Sequence, residues 1–204
     1  MFTIVGLGNP DSEYEGTRHN VGRDVLRAVA KKGGVVEWKE DKKLRALAAK
    51  GELYGEKVLC VLPETMMNNS GASLKPLVFA KPTKKRPYLP LVVLHDDLDL
   101  PLGVVKLSVG SGSGGHKGVE SIQKALKTRD FIRVRIGISG STPSGKLKKP
   151  AGEEKVIDFV LGTFKKTEED KLKAARALCA RALELILTEG FAKAQMEIHT
   201  SRGK

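Results

Sequence analysis

Residues 3 to 22, Thr-Ile-Val-Gly-Leu-Gly-Asn-Pro-Asp-Ser-Glu-Tyr-Glu-Gly-Thr-Arg-His-Asn-Val-Gly, constrain this chain more than any other stretch. Ile4 and Val5 read as the last residues of a buried strand. Gly6 and Gly8 read as positions whose backbone takes conformations closed to other residues, and Asn9-Pro10 as a turn that leaves Asn9 at the strand tip. From about Thr17 the apolar positions Val21, Val25, Leu26 and Val29 recur at helical spacing, with Thr17 as the candidate N-cap. That spacing predicts His19 in the first turn of a helix, where the positive helix end disfavours imidazolium and helps keep a base neutral.

Gly6-x-Gly8-x-x-Asp11 also matches the start of a dinucleotide fingerprint. That fingerprint needs a small residue at Asp11 and a helix that begins at once. Asp11 would repel a pyrophosphate, and Glu13, Tyr14 and Glu15 intervene before the helix, so a nucleotide-dependent oxidoreductase is disfavoured.

The later segments supply more of an α/β pattern. Leu44 to Ala49 and Lys57 to Leu62 read as neighbouring strands, with Gly51 and Gly55 near the turns and Pro63 as the stop. Met66 to Gly71 leads into a predicted helix to about Ala80, capped by Ser70 or Ser73. Leu91 to Leu94 is a continuous apolar run, the mark of a strand covered on both faces, and it delivers His95-Asp96-Asp97 at its carboxyl end. Val104 to Val109 is a strand, and the glycine-dense run through His116 to Gly118 precedes a helix carrying Val119, Ile122 and Leu126. Phe131 to Ile138 alternates, placing Arg133 and Arg135 on one face and Ile132, Val134 and Ile136 on the other. Residues 81 to 87 and 139 to 156 read as basic loops. Thr167 to Asp170 resembles a helix start for a stripe through Leu172, Ala175, Cys179, Ala182 and Ile186, and a last helix spans Phe191 to Ile198, followed by a frayed tail from Ser201 to Lys204. The expected architecture is a single α/β domain over 1–204, ordered from about 2 to 198, with a twisted mixed sheet and helices on both faces.

Net charge then narrows the partner. In 204 residues, 36 Lys+Arg against 24 Asp+Glu leave +12, which implies a polyanion, with nucleic acid ahead of an anionic membrane face. Cys60 and Cys179 sit in apolar patterns as small hydrophobes, with no disulfide framework or zinc spacing. No apolar run reaches membrane-spanning length, and Met1-Phe2 leads straight into a strand, so the expected setting is cytoplasmic with no membrane partner.

Four ordered segments resemble the bacterial-type peptidyl-tRNA hydrolase family. They are Gly-Leu-Gly-Asn-Pro at 6 to 10 with Tyr14 and Thr-Arg-His-Asn-Val-Gly at 17 to 22, Met-Asn at 67 to 68 before Ser70-Gly71, His-Asp-Asp-Leu-Asp-Leu-Pro at 95 to 101, and Gly-Gly-His at 114 to 116. Phe159 to Gly162 is a further echo. The resemblance implies hydrolysis of the ester joining a peptide to the 3′ ribose of tRNA, by a monomer that needs no cofactor, metal or obligate protein partner. By the same resemblance His19 is the general base acting on water, oriented by Asp96, while Asn68 contacts the substrate near the scissile ester and Asn9 helps reject aminoacyl-tRNA with a free amine. Tyr14, Met66 and Met67 are candidate lining groups, Met67 with a core reading beside it. His116 and Lys117 are candidate substrate contacts, and Arg135, with Arg133 on the same strand face, is a candidate phosphate contact. No Gly-x-Ser-x-Gly nucleophile motif is present, which favours direct attack by water.

Three positions depart from the family pattern: Lys117 stands where asparagine is usual, Ser108 where a lysine often helps hold tRNA phosphate, and Asp11 where a glycine is usual. Lys106 or the basic loops are the candidates to rebuild the phosphate clamp. These departures sustain a rival, an RNA-binding or RNA-processing partner that has lost turnover. A second rival is a metal site made from His95, Asp96, Asp97 and His116, although their spacing matches no standard ligand set. Asp97 and Asp99 read as turn or capping acids, and His199 is assigned no role.

Overall fold

Strand and helix segments alternate as the periodicity predicts, and the computed structural model describes residues 1–142 and 144–200. Pro143 of the predicted second basic loop and the predicted frayed tail, Ser201 to Lys204, lie outside the described residues. The strands are β1 (Phe2–Gly6), β2 (Lys39–Asp41), β3 (Ala46–Leu53), β4 (Glu56–Pro63), β5 (Leu91–Pro101), β6 (Val105–Ser108), β7 (Ile132–Ser141) and β8 (Leu147–Lys148). The helices are α1 (Val21–Lys32), α2 (Lys117–Leu126), α3 (Glu153–Leu161), α4 (Glu169–Thr188) and α5 (Phe191–Thr200). The sheet order is β2-β3-β4-β1-β5-β7-β6, with β8 paired to the end of β7. The central pairs β4–β1, β1–β5 and β5–β7 are parallel, and the outer pairs are antiparallel.

Alternation along the central strands sends side chains into two apolar layers. Ile4, Cys60, Val92 and Leu94 pack in one layer with α1, α4 and α5, including Val25, Leu26, Cys179 and Ile198. Val5, Leu59, Val61 and Val93 pack in the other with Val119 and Ile122 of α2 and with Met67 and Leu74. A side chain as fully buried as Val92 or Leu94 contributes roughly 1.5–3 kcal/mol by removal from water. Helices thus cover both faces, as the continuous run Leu91 to Leu94 implies.

Several local expectations are corrected. The segment after Met66 is a 3-10 helix, Met67–Ser73, that stops short of Pro76 instead of continuing to Ala80. Ser70 and Ser73 do not cap it: their hydroxyls donate to the carbonyls of Met67 (2.9 Å) and Arg45 (3.2 Å). The predicted loop from 139 to 156 is shorter, because β7 runs on to Ser141, β8 pairs back onto it and α3 begins at Glu153. His199 has a structural part, accepting the Leu107 amide at 3.1 Å. Asp97 does build a turn, accepting the Asp99 amide at 2.8 Å, but it also pairs with Arg135.

Gly6 and Gly8 are required for another reason than the one expected. Neither has a positive φ; a Cβ on Gly6 would lie 2.7 Å from the Gly22 carbonyl oxygen, and one on Gly8 2.9 Å from Arg23 Cβ. Gly22 completes the contact, since its Cβ would run into the Leu94 carbonyl. These glycines let the start of α1 lie directly on the ends of β1 and β5. Gly22→Ala meets backbone that cannot retreat, so it should lower unfolding free energy by about 2 kcal/mol or more, read as a fall in the denaturant midpoint.

Candidate active site

The carboxyl ends of β1, β4 and β5 open on one side of the sheet, and the segments that follow them carry the predicted residues. Pairing of β1 with β5 ends at Gly6 and Leu94, while β5 continues beside β7 through Asp96 and Asp97. Asp96 therefore lies inside a strand that outruns its neighbour, not at a strand terminus as expected. His19 lies in a 3-10 turn, Arg18–Asn20, that precedes α1, and Thr17 donates its hydroxyl to the Tyr14 carbonyl (2.8 Å) instead of capping the helix.

His19 Nδ1 and Asp96 Oδ1 are 2.9 Å apart, although 77 residues separate them in sequence. A carboxylate can only accept, so Nδ1 carries the proton and Nε2 keeps its lone pair for another partner. Burial disfavours the imidazolium, but the charge and hydrogen bond of Asp96 outweigh it, and the His19 pKa is raised above the ordinary 6.5. Asp96 therefore sets the upward direction of the shift, against the burial. Burial also opposes charge on Asp96, yet the His19 and His116 rings hold its pKa below the usual carboxylate range.

His116 reaches the same oxygen. Its Nε2–H donates to Asp96 Oδ1 at 2.8 Å, and its Nδ1 accepts the amides of Gly118 (3.1 Å) and Val119 (3.3 Å), capping α2. His95 lies behind it, with ring centroids 4.7 Å apart, and donates Nδ1–H to the Asp96 carbonyl at 2.7 Å. Complete burial, with His116 and Arg133 nearby, pushes the His95 pKa well below 6.5.

Among the described residues, His19, Asp96 and His116 form a group of donor atoms lying within 4.8 Å of one another. The tautomers argue against a metal there: both rings point N–H protons, not lone pairs, at one carboxylate oxygen. His95 and Asp97 of the alternative ligand set are engaged with the Asp96 carbonyl and with Arg135.

Asn9 is buried and fully oriented. Its backbone and that of Met67 bind amide oxygens: Asn9 N–H donates to Asn20 Oδ1 (2.8 Å), and Met67 N–H donates to Asn9 Oδ1 (2.8 Å). Asn20 Nδ2 returns a bond to the Asn9 carbonyl at 3.0 Å. The Asn9 oxygen is thereby engaged, which leaves its amide NH2 as the group that can donate elsewhere. Asn20 is a site-building residue that sequence reasoning passed over; its place immediately before α1, next to His19, was the available signal.

A cleft of about 360 Å³ opens over these groups, lined by His19, Asp96, His116 and Leu98 and by Val156 and Val160 of α3. Lys117 lines both this cleft and an adjoining groove of about 540 Å³ that holds Asn68, Lys75 and Lys124. Asn68 is exposed in that groove and does not line the His19 cleft. Tyr14 is half-buried and Met66 is 46% exposed, and neither lines either space. Met67 is a core residue at 5% exposure, packed beneath Gly118, which corrects its assignment as a lining group.

Ile132, Val134 and Ile136 of β7 share one apolar layer, as the alternation predicts, but the two arginines on the opposite face differ in exposure. Arg133 is only 3% exposed, and burial with Arg135 beside it lowers its pKa to about 10, so it is not a surface phosphate contact. Arg135 retains an accessible side chain, with Nε donating to Asp97 Oδ2 at 2.6 Å. Across the antiparallel pair Lys106 stands opposite Arg135, and Ser108 opposite Arg133.

Arg18 joins this site to its far wall. Its guanidinium lies 4.7 Å from the ring centroids of both Phe159 and Phe164, and Nη2 donates to Glu168 at 2.8 Å. The Arg18 amide also donates to the Gly162 carbonyl at 3.0 Å.

An imidazole with an available lone pair, backed by a buried carboxylate and set beside oriented amides on an α/β sheet, defines a hydrolase of the kind that activates water. The chain belongs to the peptidyl-tRNA hydrolase family, whose sequence profile, described as "Peptidyl-tRNA hydrolase", matches residues 3–204. Relatives named peptidyl-tRNA hydrolase include one from Carboxydothermus hydrogenoformans, 41% identical over 199 residues that make up 98% of each chain, and one from Bacillus subtilis, 38% identical over 202 residues at the same coverage. The crystal structure of peptidyl-tRNA hydrolase from Acinetobacter baumannii superposes with a TM-score of 0.83 at 33% identity, covering 97% of this chain and 94% of that one.

Proposed function

We propose that this chain hydrolyses the ester of peptidyl-tRNA, with His19 as the general base. The observation that carries this reading is the His19 Nδ1–H bond to Asp96, which leaves Nε2 as a lone pair at the cleft. Nε2 takes a proton from water as the water attacks the ester carbonyl, and Asp96 stabilises the imidazolium that forms. The oriented amide of Asn9 and the side chain of Asn68 donate to substrate carbonyls, and Asn9 contributes to the rejection of aminoacyl-tRNA with a free amine. Tyr14 and Met66 offer surface to the tRNA end, and Lys117 stands between the cleft and the basic groove to hold a phosphate in place of the usual asparagine. The net charge of +12 favours tRNA as the polyanion. The chain acts as a single domain and a monomer in the cytoplasm; no described helix is long and apolar enough to cross a membrane.

The test compares N-blocked and unblocked aminoacyl-tRNA, with and without chelator. Cleavage of the blocked form alone, indifferent to chelator, is the expected result. Tight binding without cleavage would support the RNA-binding rival, against which the intact His19–Asp96 pair and the Asn9 clip argue.

Arg135, with Lys106 opposite, is the proposed phosphate contact, and Asp97 holds its guanidinium in place until tRNA arrives. Arg135→Ala should weaken tRNA binding and reduce the slope of log K against log salt by about 0.9, the release of one counterion. An unchanged slope in a salt series would put the phosphate contact elsewhere.

A further inference from the structure

Two imidazoles share one oxygen of Asp96, and they differ in freedom. His19 donates Nδ1–H to Oδ1 and keeps Nε2 available, whereas both nitrogens of His116 are committed, Nε2–H to Oδ1 and Nδ1 to the amides of Gly118 and Val119. With Nδ1 accepting both cap amides, the α2 cap fixes this ring as a hydrogen-bond donor to the carboxylate. Its side chain is 7% exposed and the Asp96 side chain 3%, so little water competes for the oxygen. The ring is also confined sideways, with His95 at 4.7 Å and His19 at 5.0 Å between centroids.

A hydrogen bond into a buried carboxylate draws charge from the oxygen that also faces His19. We propose that His116 is a positioning residue acting through Asp96: by donating to the shared oxygen it limits the hold of the carboxylate on the His19 proton and keeps Nε2 available as a base near neutral pH. This rests on His19 being the base. Too strong a carboxylate would leave His19 protonated and inactive, while too weak a one would leave its imidazolium unsupported. The cap that starts α2 thus also sets the working range of the base. The other titratable groups around the cleft are His95 and Asp97 of β5, Lys117 at the start of α2 and Glu153 at the start of α3, with Arg135 of β7 held by Asp97. Among the described residues the hydrogen bond of the His19 ring goes to Asp96.

The test is His116→Asn, because asparagine is a strong N-cap and preserves the helix start while removing the ring donor. In the full-length protein without substrate, the His19 ring titration followed by NMR should move up by at least about half a pH unit, and the acidic limb of kcat/KM should move up with it. His116→Ser, which also caps, should shift the titration in the same direction. Adding Asp96→Asn should abolish the effect of either change. A His19 midpoint that stays put or falls, or a shift that survives in the Asp96→Asn background, would overturn the proposal. So would loss of the native fold in both variants, which would make His116 a structural residue alone. Since the ring titration needs no substrate, its failure is distinct from failure of the hydrolase reading.

Discussion

His19→Ala is expected to lower kcat on peptidyl-tRNA by at least about a hundredfold while leaving tRNA affinity nearly unchanged. The separation of the two effects follows from where the side chain sits. His19 occupies the inner wall of the cleft with Asp96, whereas Arg135, Lys117, Lys75 and Lys124 lie on the surfaces around it. Removing the ring takes away the proton acceptor for water and leaves the charges that attract the polyanion in place. Single-turnover rates and filter-binding affinities, measured on the same preparation, check both halves. Turnover matching that of the parent would remove the base assignment.

Asp96→Asn is expected to cost a comparable factor, about a hundred- to ten-thousandfold in kcat, with a signature of its own in the pH profile. The amide has one acceptor oxygen and two N–H groups in place of a carboxylate, so it no longer dictates that His19 carry its proton on Nδ1. It also removes the charge that supports the imidazolium. Burial disfavours protonation of His19, and only the charge and hydrogen bond of Asp96 raise its pKa above 6.5. Without that charge the pKa falls, and the acidic limb of the residual activity should move to lower pH, opposite to the shift expected for His116→Asn. A residual limb that moved upward would mean that Asp96 does not control the ring.

The parts of this site that could be read from sequence are those carried by short-range pattern. The apolar run Leu91 to Leu94 announced a covered strand, and the spacing of Val21, Val25, Leu26 and Val29 announced the inner stripe of α1. The pairing of His19 with Asp96 was reached through family resemblance, because nothing local in either segment says that two side chains 77 residues apart share a hydrogen bond. The glycines illustrate a different limit. Gly6 and Gly8 were conspicuous, but a one-dimensional pattern cannot distinguish a residue needed for its φ from one needed for the absence of a Cβ, and here close approach to Gly22 and Arg23 decides. Arg133 and Arg135 alternate identically, yet one is buried and the other accessible, since cover comes from elements far away in sequence. Met67 was misplaced among the lining groups for the same reason: its sulfur packs under Gly118, 51 residues on. The bonds that orient Asn9 and His116 run to backbone amides, which no sequence letter distinguishes.

Arg18 has a mechanical consequence for the shape of the cleft. The helix that forms the apolar wall, the loop behind it and the turn bearing the base are riveted to one guanidinium through two aromatic plates and a carboxylate. Swinging that wall outward would drag on the neighbour of His19, so the apolar wall and the turn that carries the imidazole keep their spacing as one unit.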